Sequence, residues 1–170
     1  MSTRSSSNSD RADAELSLRE ARVAYAIGYF DDVEVVEWAR TTNALDDHFG
    51  EASVAELLSL NTNNGRKLDQ VHSLFQQVVD GVDPKFGMES ADAEIIARRL
   101  FSRRVQACIG GDSRIWDICR MVSQIEWRFD YPDWLGDMYN VCDWLHPDSV
   151  TDVGIDAALR KQLEFMESAR

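Results

Sequence analysis

The sequence predicts an all-α fold, a single-domain bundle of about seven or eight helices. Apolar residues recur three and four positions apart along most of the chain, residues that begin or end helices separate these stretches, and strand-like alternation is weak. A chain of 170 residues with 44% hydrophobic content can build one core of ordinary size. We therefore expect one helical domain over residues 15–170. Residues 1–14 are Ser-rich and polar, which predicts a disordered tail.

A glycine separates the first two predicted helices. Ser17 and Glu20 form a capping-box pattern that begins the first helix, and Gly28 ends it because glycine readily adopts the left-handed conformation that closes a helix. Asp31 and Asp32 then predict the start of the second helix, since carboxylates accept hydrogen bonds from the unpaired amides of a helix N-terminus.

The third and fourth predicted helices flank an asparagine-rich turn at residues 61–65. A second capping-box pattern, Ser53 with Glu56, begins the third helix. The fourth helix has the strongest amphipathic pattern of the chain. Its apolar residues are Leu68, Val71, Leu74, Phe75, Val78 and Val79. An irregular connection is expected over residues 80–89, which contain two glycines and a proline.

Two longer helices follow in the predicted order. Ser90 caps the fifth helix, which stops at Gly110 and Gly111, and the sixth starts near Asp112 or Ser113. The sixth helix is expected to bury one stripe of side chains. This stripe comprises Ile115, Trp116, Cys119, Val122, Ile125 and Phe129.

Prolines delimit the seventh predicted helix. Pro132 is suited to its first turn, and Pro147 ends it. A polar turn then leads to an eighth helix from about Ile155, on which Leu159 and Leu163 have helical spacing.

The cysteines and the lack of long apolar segments predict a reduced, cytoplasmic protein. Cys108, Cys119 and Cys142 are odd in number and lack the spacing of a zinc site or a disulfide framework, so we expect core thiols. No segment approaches the roughly 20 apolar residues that span a bilayer. The first ten residues lack the apolar region of a secretory signal, and we expect no membrane contact.

Charge is segregated along the chain, whose net charge is -12. Residues 30–56 hold eight carboxylates against one arginine, and residues 126–156 repeat that balance. Residues 98–125, in contrast, hold six arginines against two aspartates. Four of these arginines lie close together: Arg98, Arg99, Arg103 and Arg104. Given the acidity of the whole chain, we interpret them as partners of the acidic segments or as a solvated face, and we expect no direct nucleic-acid contact.

The second acidic block also overlaps the stretch of the chain that is richest in tryptophan. Four of the five tryptophans lie in one stretch of 29 residues, at Trp116, Trp127, Trp134 and Trp144. Carboxylates beside exposed aromatic rings are typical of surfaces that bind a protein partner. We therefore predict a partner-binding surface. Its residues are Glu126, Asp130, Tyr131, Asp133, Trp134, Asp137, Asp143 and Trp144.

Signals for catalysis or metal binding are few. His48, His72 and His146 stand alone, and no helix carries the paired histidines that a metal site on one helical face requires. We therefore expect no catalytic residue, no cofactor and no bound metal.

The stretch Ile125-Glu126-Trp127-Arg128-Phe129-Asp130-Tyr131-Pro132, together with the helix pattern from Leu18 to Ala39, resembles small helical bacterial proteins of unknown function. Some of these are encoded beside secreted toxins. The resemblance covers about a third of the chain and implies a toxin-neutralising, immunity-protein-like role without catalytic residues. With the segregated charge, it leads to the hypothesis of a stoichiometric inhibitor that binds a cationic partner such as a nuclease.

Two alternative functions remain open from the sequence. One is a small metal-dependent helical hydrolase that uses Asp130, Asp133, Asp143 or His146. The other is a DNA mimic, in which carboxylates take the positions of phosphates and compete with duplex DNA for its target.

Overall fold

A computed structural model describes residues 15–63, 69–144 and 152–168, without the side chains of residues 144, 152 and 153. These residues form eight α-helices, two short 3-10 helices and no strand, which confirms the all-α prediction. The α-helices, α1 to α8, are Leu18–Ala26, Asp32–Thr41, Ala52–Ser59, Val71–Val82, Ala91–Ile109, Ile115–Phe129, Met138–Trp144 and Asp152–Ser168. The 3-10 helices are Asp46–His48 and Asp133–Leu135. None of the described helices is long and apolar enough to cross a membrane.

The chain divides into two compact units. Unit 1 comprises Met1–Tyr25 and Phe30–Gly87, and unit 2 comprises Ala26–Tyr29 and Met88–Arg170. Helices α1 to α4 belong to unit 1 except for the last residue of α1, and α5 to α8 belong to unit 2. The single domain expected over residues 15–170 stays a prediction, and the expected tail over residues 1–14 lies outside the described part of the chain.

Side-chain caps fix the first helices of unit 1. The Asp31 carboxylate accepts hydrogen bonds from the backbone amides of Val33 and Glu34, and the Glu34 carboxylate accepts one from the Asp31 amide, so the predicted start of α2 is confirmed. The cap predicted at Ser53 is wrong. Helix α3 begins one residue earlier, after Glu51, whose carboxylate contacts the His48 ring nitrogen at 2.8 Å instead of capping the helix.

The core of unit 1 is centred on aromatic contacts with α4. Phe75 meets the rings of Tyr25 and Trp38 edge-on, with centroids 5.6 Å and 6.0 Å away. The Trp38 indole N–H donates to the Leu16 carbonyl at 3.1 Å, which satisfies its one polar atom inside the core. Helix α3 packs against α4, and α2 contacts both.

In unit 2, α5 packs against α6 and α8, and α7 contacts the same two helices. The Ser90 hydroxyl accepts a hydrogen bond from the Ala93 amide at 3.2 Å, which confirms the predicted cap of α5. Helix α6 begins at Ile115, two residues beyond the latest predicted start. Its buried side chains contribute to a core that also holds Phe101 and Leu135.

A glycine forms the corner between the second 3-10 helix and α7. Gly136 has a φ of 51°, and a Cβ atom there would lie 3.1 Å from Gln162 Oε1 and 3.2 Å from Phe165 Cδ1. The buried Gln162 side chain donates to the Trp134 carbonyl at 2.7 Å. Both the backbone conformation and the close approach of α8 therefore require glycine at this position.

Candidate protein-binding site

Helix α6 has a buried face and an exposed aromatic face. Its fully or almost fully buried residues include Ile118, Met121, Val122 and Ile125. Trp127 is 82% exposed and Trp116 is 44% exposed, so the expectation that Trp116 belongs to the buried stripe is wrong. Eleven residues are about three helical turns, so both indoles project from the same side of α6, roughly 16 Å apart along its axis. Trp127 adjoins Glu126 in the last turns of α6.

The end of α6 is a turn that exposes a tyrosine. Asp130 and Tyr131 both have left-handed backbone conformations, with φ of 51° and 58°. Aspartate tolerates this region, whereas a bulky residue such as tyrosine adopts it rarely and at an energetic cost. The Tyr131 amide donates to the Glu126 carbonyl at 3.2 Å, which closes the helix, and the Tyr131 side chain is 61% exposed.

Tyr139 of α7 marks where several carboxylates of the second acidic block meet. Its ring centroid lies 6.0 Å from that of Tyr131, and its hydroxyl donates to the Pro132 carbonyl at 3.2 Å. Burial, followed by the nearby charges of Glu126 and Asp133, raises the pKa of Tyr139 to about 12. Residues of α6, of the turn after it and of α7 therefore share one region.

Two carboxylates from different helices act on each other in this region. Burial raises the pKa of Glu126 above its ordinary value, and the charge of Asp143 on α7 raises it further. We refer to this surface of unit 2 as the acidic-aromatic face. It comprises Glu126, Trp127, Asp130, Tyr131, Asp133 and Asp143. A cation placed here would relieve the repulsion between its carboxylates.

A disulfide joins the two helices that carry this face. Cys119 of α6 and Cys142 of α7 are bonded, with their Cα atoms 5.3 Å apart, so the expectation of reduced core thiols is wrong for this pair. Spacing along the sequence could not reveal it, because the two cysteines approach only when α7 folds back onto α6. Cys108 remains a free, partly exposed thiol whose pKa is raised by burial and then by the charges of Asp156 and Asp117.

Trp134 does not belong to the predicted surface. It is 7% exposed, its indole N–H donates to Glu94 Oε1 at 3.0 Å, and its ring lies 5.9 Å from that of Phe101. Trp134 therefore packs in the core of unit 2, and the structure corrects this part of the prediction. The side chain of Trp144 lies outside the described residues.

Among the other predicted surface residues, Glu126 is half-buried and the four aspartates are exposed, but one aspartate has a different partner. Asp130, Asp133 and Asp143 are exposed, as expected for a binding surface. Asp137 contacts the Lys161 ammonium of α8 at 2.9 Å, and this hydrogen bond raises the pKa of Lys161. The charge of Asp137 is thus offset locally.

The exposed position of Trp127 was missed in the predicted surface, although the sequence contains a signal for it. Trp127 lies two residues after the buried Ile125, about 200° further around the helix, and therefore on the opposite side. A helical-wheel analysis of α6 separates it from the buried stripe.

The first acidic block, in unit 1, uses several of its carboxylates within its own helices. Asp31 and Glu34 cap α2, and Asp32 accepts a hydrogen bond from the Tyr25 hydroxyl at 2.6 Å. Glu37 forms an ion pair with Arg40 at 3.0 Å. Several carboxylates of residues 30–56 therefore stabilise local structure. The sequence alone could not distinguish this role from that of a binding surface.

The described residues contain no group of three or more His, Cys, Asp or Glu side chains that could hold a metal ion. Of the residues considered for a hydrolase, Asp130, Asp133 and Asp143 lie on the acidic-aromatic face, and His146 lies outside the described part of the chain. Comparison of the chain with protein-family models, curated proteins and solved structures finds no match.

Proposed function

We propose that this protein is a non-catalytic module that binds a cationic protein through the acidic-aromatic face and inhibits it stoichiometrically, as an immunity protein neutralises a toxin. The observation that carries the proposal is the 82% exposure of Trp127, which follows in sequence the carboxylate of Glu126 that Asp143 repels. An exposed indole gains hydrophobic stabilisation when a partner covers it. A positively charged partner would at the same time stabilise the carboxylates electrostatically.

The composition of the face supports a protein partner. Tryptophan and tyrosine dominate the binding energy of protein interfaces, and a polar rim around such anchors excludes water. Trp127 and Tyr131 are exposed anchors of this type, and Glu126, Asp130 and Asp133 adjoin them in sequence. The disulfide between α6 and α7 limits how far the two sides of the face can separate, so less conformational entropy is lost on binding.

The toxin-neutralising role is the finer part of the proposal, and a cytoplasmic place of action would require the face to bind with Cys119 and Cys142 reduced. The toxin-neutralising role is supported by the resemblance of the Phe129-Asp130-Tyr131-Pro132 turn to small helical proteins encoded beside toxins. A nuclease is a suitable partner because surfaces that bind nucleic acids are positively charged.

Binding measurements with each basic protein encoded beside this one test the proposal. We expect a one-to-one complex at low salt and a steep fall in association rate as salt is raised, because complementary charge accelerates encounter. Trp127→Ala is expected to weaken the complex by about 2 kcal/mol, roughly thirtyfold, as for a central aromatic anchor.

Trp116→Ala is the matched control, since it removes an exposed indole from the same side of α6 but about three helical turns from Trp127. Its effect on affinity is expected to be several times smaller. Equal losses for the two variants would mean that the carboxylates do not define the site. Absence of binding to every such protein at low salt would reject the proposed function.

A further inference from the structure

Unit 2 contains a cavity between α7 and α8. Its volume is about 450 Å³, which lies within the range of small-molecule sites in proteins. Residues of both helices line it, together with the corner at Gly136 that precedes α7. The residues of the acidic-aromatic face do not line it, so the cavity is a separate candidate site.

The side chain of Gln162 gives the cavity a hydrogen-bond acceptor. This side chain is 4% exposed, and its Nε2 donates to the Trp134 carbonyl at 2.7 Å, which fixes the orientation of the amide group. No described residue donates to its other polar atom, Oε1. Every fully enclosed side-chain nitrogen and oxygen in the described part of the chain has a partner, so Oε1 must reach open space. A ligand in the cavity can therefore donate to it.

An aromatic ring lies beside this acceptor. A Cβ atom at Gly136 would lie 3.1 Å from Gln162 Oε1 and 3.2 Å from Phe165 Cδ1, so the oxygen and the edge of the ring approach the same point. Phe165 is 43% exposed, and Val141 and Ala158 are half-buried, so all three side chains offer apolar surface to a ligand. An aromatic ligand can pack against the Phe165 ring while its donor reaches Oε1.

The charged side chains that line the cavity are already paired. The Lys161 ammonium contacts the Asp137 carboxylate at 2.9 Å, and both side chains are largely exposed. A charged ligand would lose water on entering a mostly apolar cavity and would gain no unpaired charge from these two residues. The described lining therefore favours an uncharged ligand.

We propose that this cavity binds a small uncharged aromatic molecule that carries one N–H or O–H donor, as indoles and phenols do. The ring covers the apolar surface of Phe165, Val141 and Ala158, and the donor takes the place of water at Gln162 Oε1. The volume favours a free molecule over a peptide, most of which would lie outside the cavity.

Titration of the full chain with indole, followed by NMR of the protein amides, tests this site. Two analogues each lack half of the chemistry, since 1-methylindole has no N–H donor and cyclohexanol has no aromatic ring. We expect saturable binding of indole and affinities about tenfold lower or weaker for both analogues, because each leaves Oε1 or the ring without its partner. This comparison uses the unaltered protein.

Ala158→Leu fills the cavity and should lower the affinity for indole at least about tenfold. Ala157→Leu is the matched control, since it adds the same side chain at the preceding, exposed residue of α8, which does not line the cavity. Its affinity should be unchanged, and equal thermal midpoints would show that both variants fold.

Three results would overturn the proposal: no binding of indole at millimolar concentration, binding of 1-methylindole as tight as that of indole, or equal affinities of the two leucine variants. If a short peptide that contains tryptophan bound more tightly than indole, the assignment to a free small molecule would be wrong.

Discussion

Glu126 is a carboxylate whose charged form is disfavoured in the folded protein. Its pKa is raised by burial and by the charge of Asp143. The folded state therefore binds a proton more tightly than the unfolded state does. It follows that Glu126 makes the free energy of unfolding fall as the pH rises from the ordinary glutamate range through the raised pKa.

Glu126→Gln is expected to stabilise the protein at neutral pH, because it removes the disfavoured charge. We expect the free energy of unfolding to rise by less than about 1 kcal/mol, since water screens a partly exposed carboxylate. This increase in the free energy of unfolding should disappear at about pH 3, where glutamate is protonated in both the folded and the unfolded state. Urea denaturation at the two pH values measures it.

Glu164→Gln is the control for the general effect of removing one negative charge, since Glu164 is exposed on α8. If Glu126→Gln raises the free energy of unfolding at neutral pH no more than Glu164→Gln does, the assignment of local repulsion at Glu126 is contradicted.

Individual tryptophans show which residues of the site could be predicted from the sequence. Trp127 lies within a regular helix, so its position relative to Ile125 indicates an exposed side chain. Trp134 lies in a three-residue 3-10 helix, where no period distinguishes inside from outside. Its burial depends on Glu94 and Phe101, which are far away in sequence and meet it only in the folded unit.

At the scale of the helices, the side-chain caps at Asp31 and Ser90 were predictable because they depend on hydrogen bonds across three residues. The same pattern failed at Ser53. There the chain enters α3 from the preceding 3-10 helix, and Glu51 takes the capping position without capping. A local sequence pattern identifies a helix, but it does not give the first residue of that helix when the preceding turn determines where the helix begins.

The disulfide between α6 and α7 predicts that reduction strongly lowers the stability of the protein. The Cys119–Cys142 bond closes a loop with a sequence separation of 23, and the loss of this constraint is expected to lower the free energy of unfolding by about 3 kcal/mol. Denaturation with and without a reducing agent measures the change. Reduction should also weaken partner binding, since Glu126 and Asp143 would no longer be held across the two helices.

Cys142→Ser should reproduce the effect of reduction, and Cys108→Ser, which leaves the bond intact, should not. An unfolding midpoint that is insensitive to reduction would contradict this role of the disulfide. Since disulfides rarely persist in a reducing cytoplasm, thiol alkylation in intact cells should label Cys119 and Cys142 if the protein acts there.

For the whole molecule, the net charge of -12 predicts that salt stabilises the fold. Like charges repel in the compact state, and about 0.1 M salt screens charges that are more than about 10 Å apart. We expect the thermal midpoint to rise by about 2–4 °C between low and physiological salt, the shift that about 1 kcal/mol produces in a chain of this size. Calorimetry at neutral pH measures it.

The same comparison at pH 4.6, the pI of the sequence, is the control, because the net charge vanishes there. A salt effect of equal size at that pH would show that general salt effects, and not charge repulsion, are responsible. Partner binding through the acidic-aromatic face should respond to salt in the opposite direction, since screening weakens attraction between complementary surfaces.

The all-α class followed from the sequence because periodicity and helix breakers act locally. The candidate site followed only in part. The acidic block indicated its neighbourhood, but its members depend on how α7 folds back onto α6, which brings Asp143 near Glu126. Tertiary packing determines which helices pair. Sequence periodicity indicates which face of a helix is buried, but not which other helix packs against that face.

The corner at Gly136 restricts which sequences can adopt the fold of unit 2. Any side chain there would meet Gln162 and Phe165 and would require a backbone conformation that only glycine adopts readily. In a library that samples all twenty amino acids at this position, functional clones should retain glycine alone. This glycine, followed within 26 residues by the glutamine that bonds to the Trp134 carbonyl, thus provides a short signature for recognising distant homologues of unit 2.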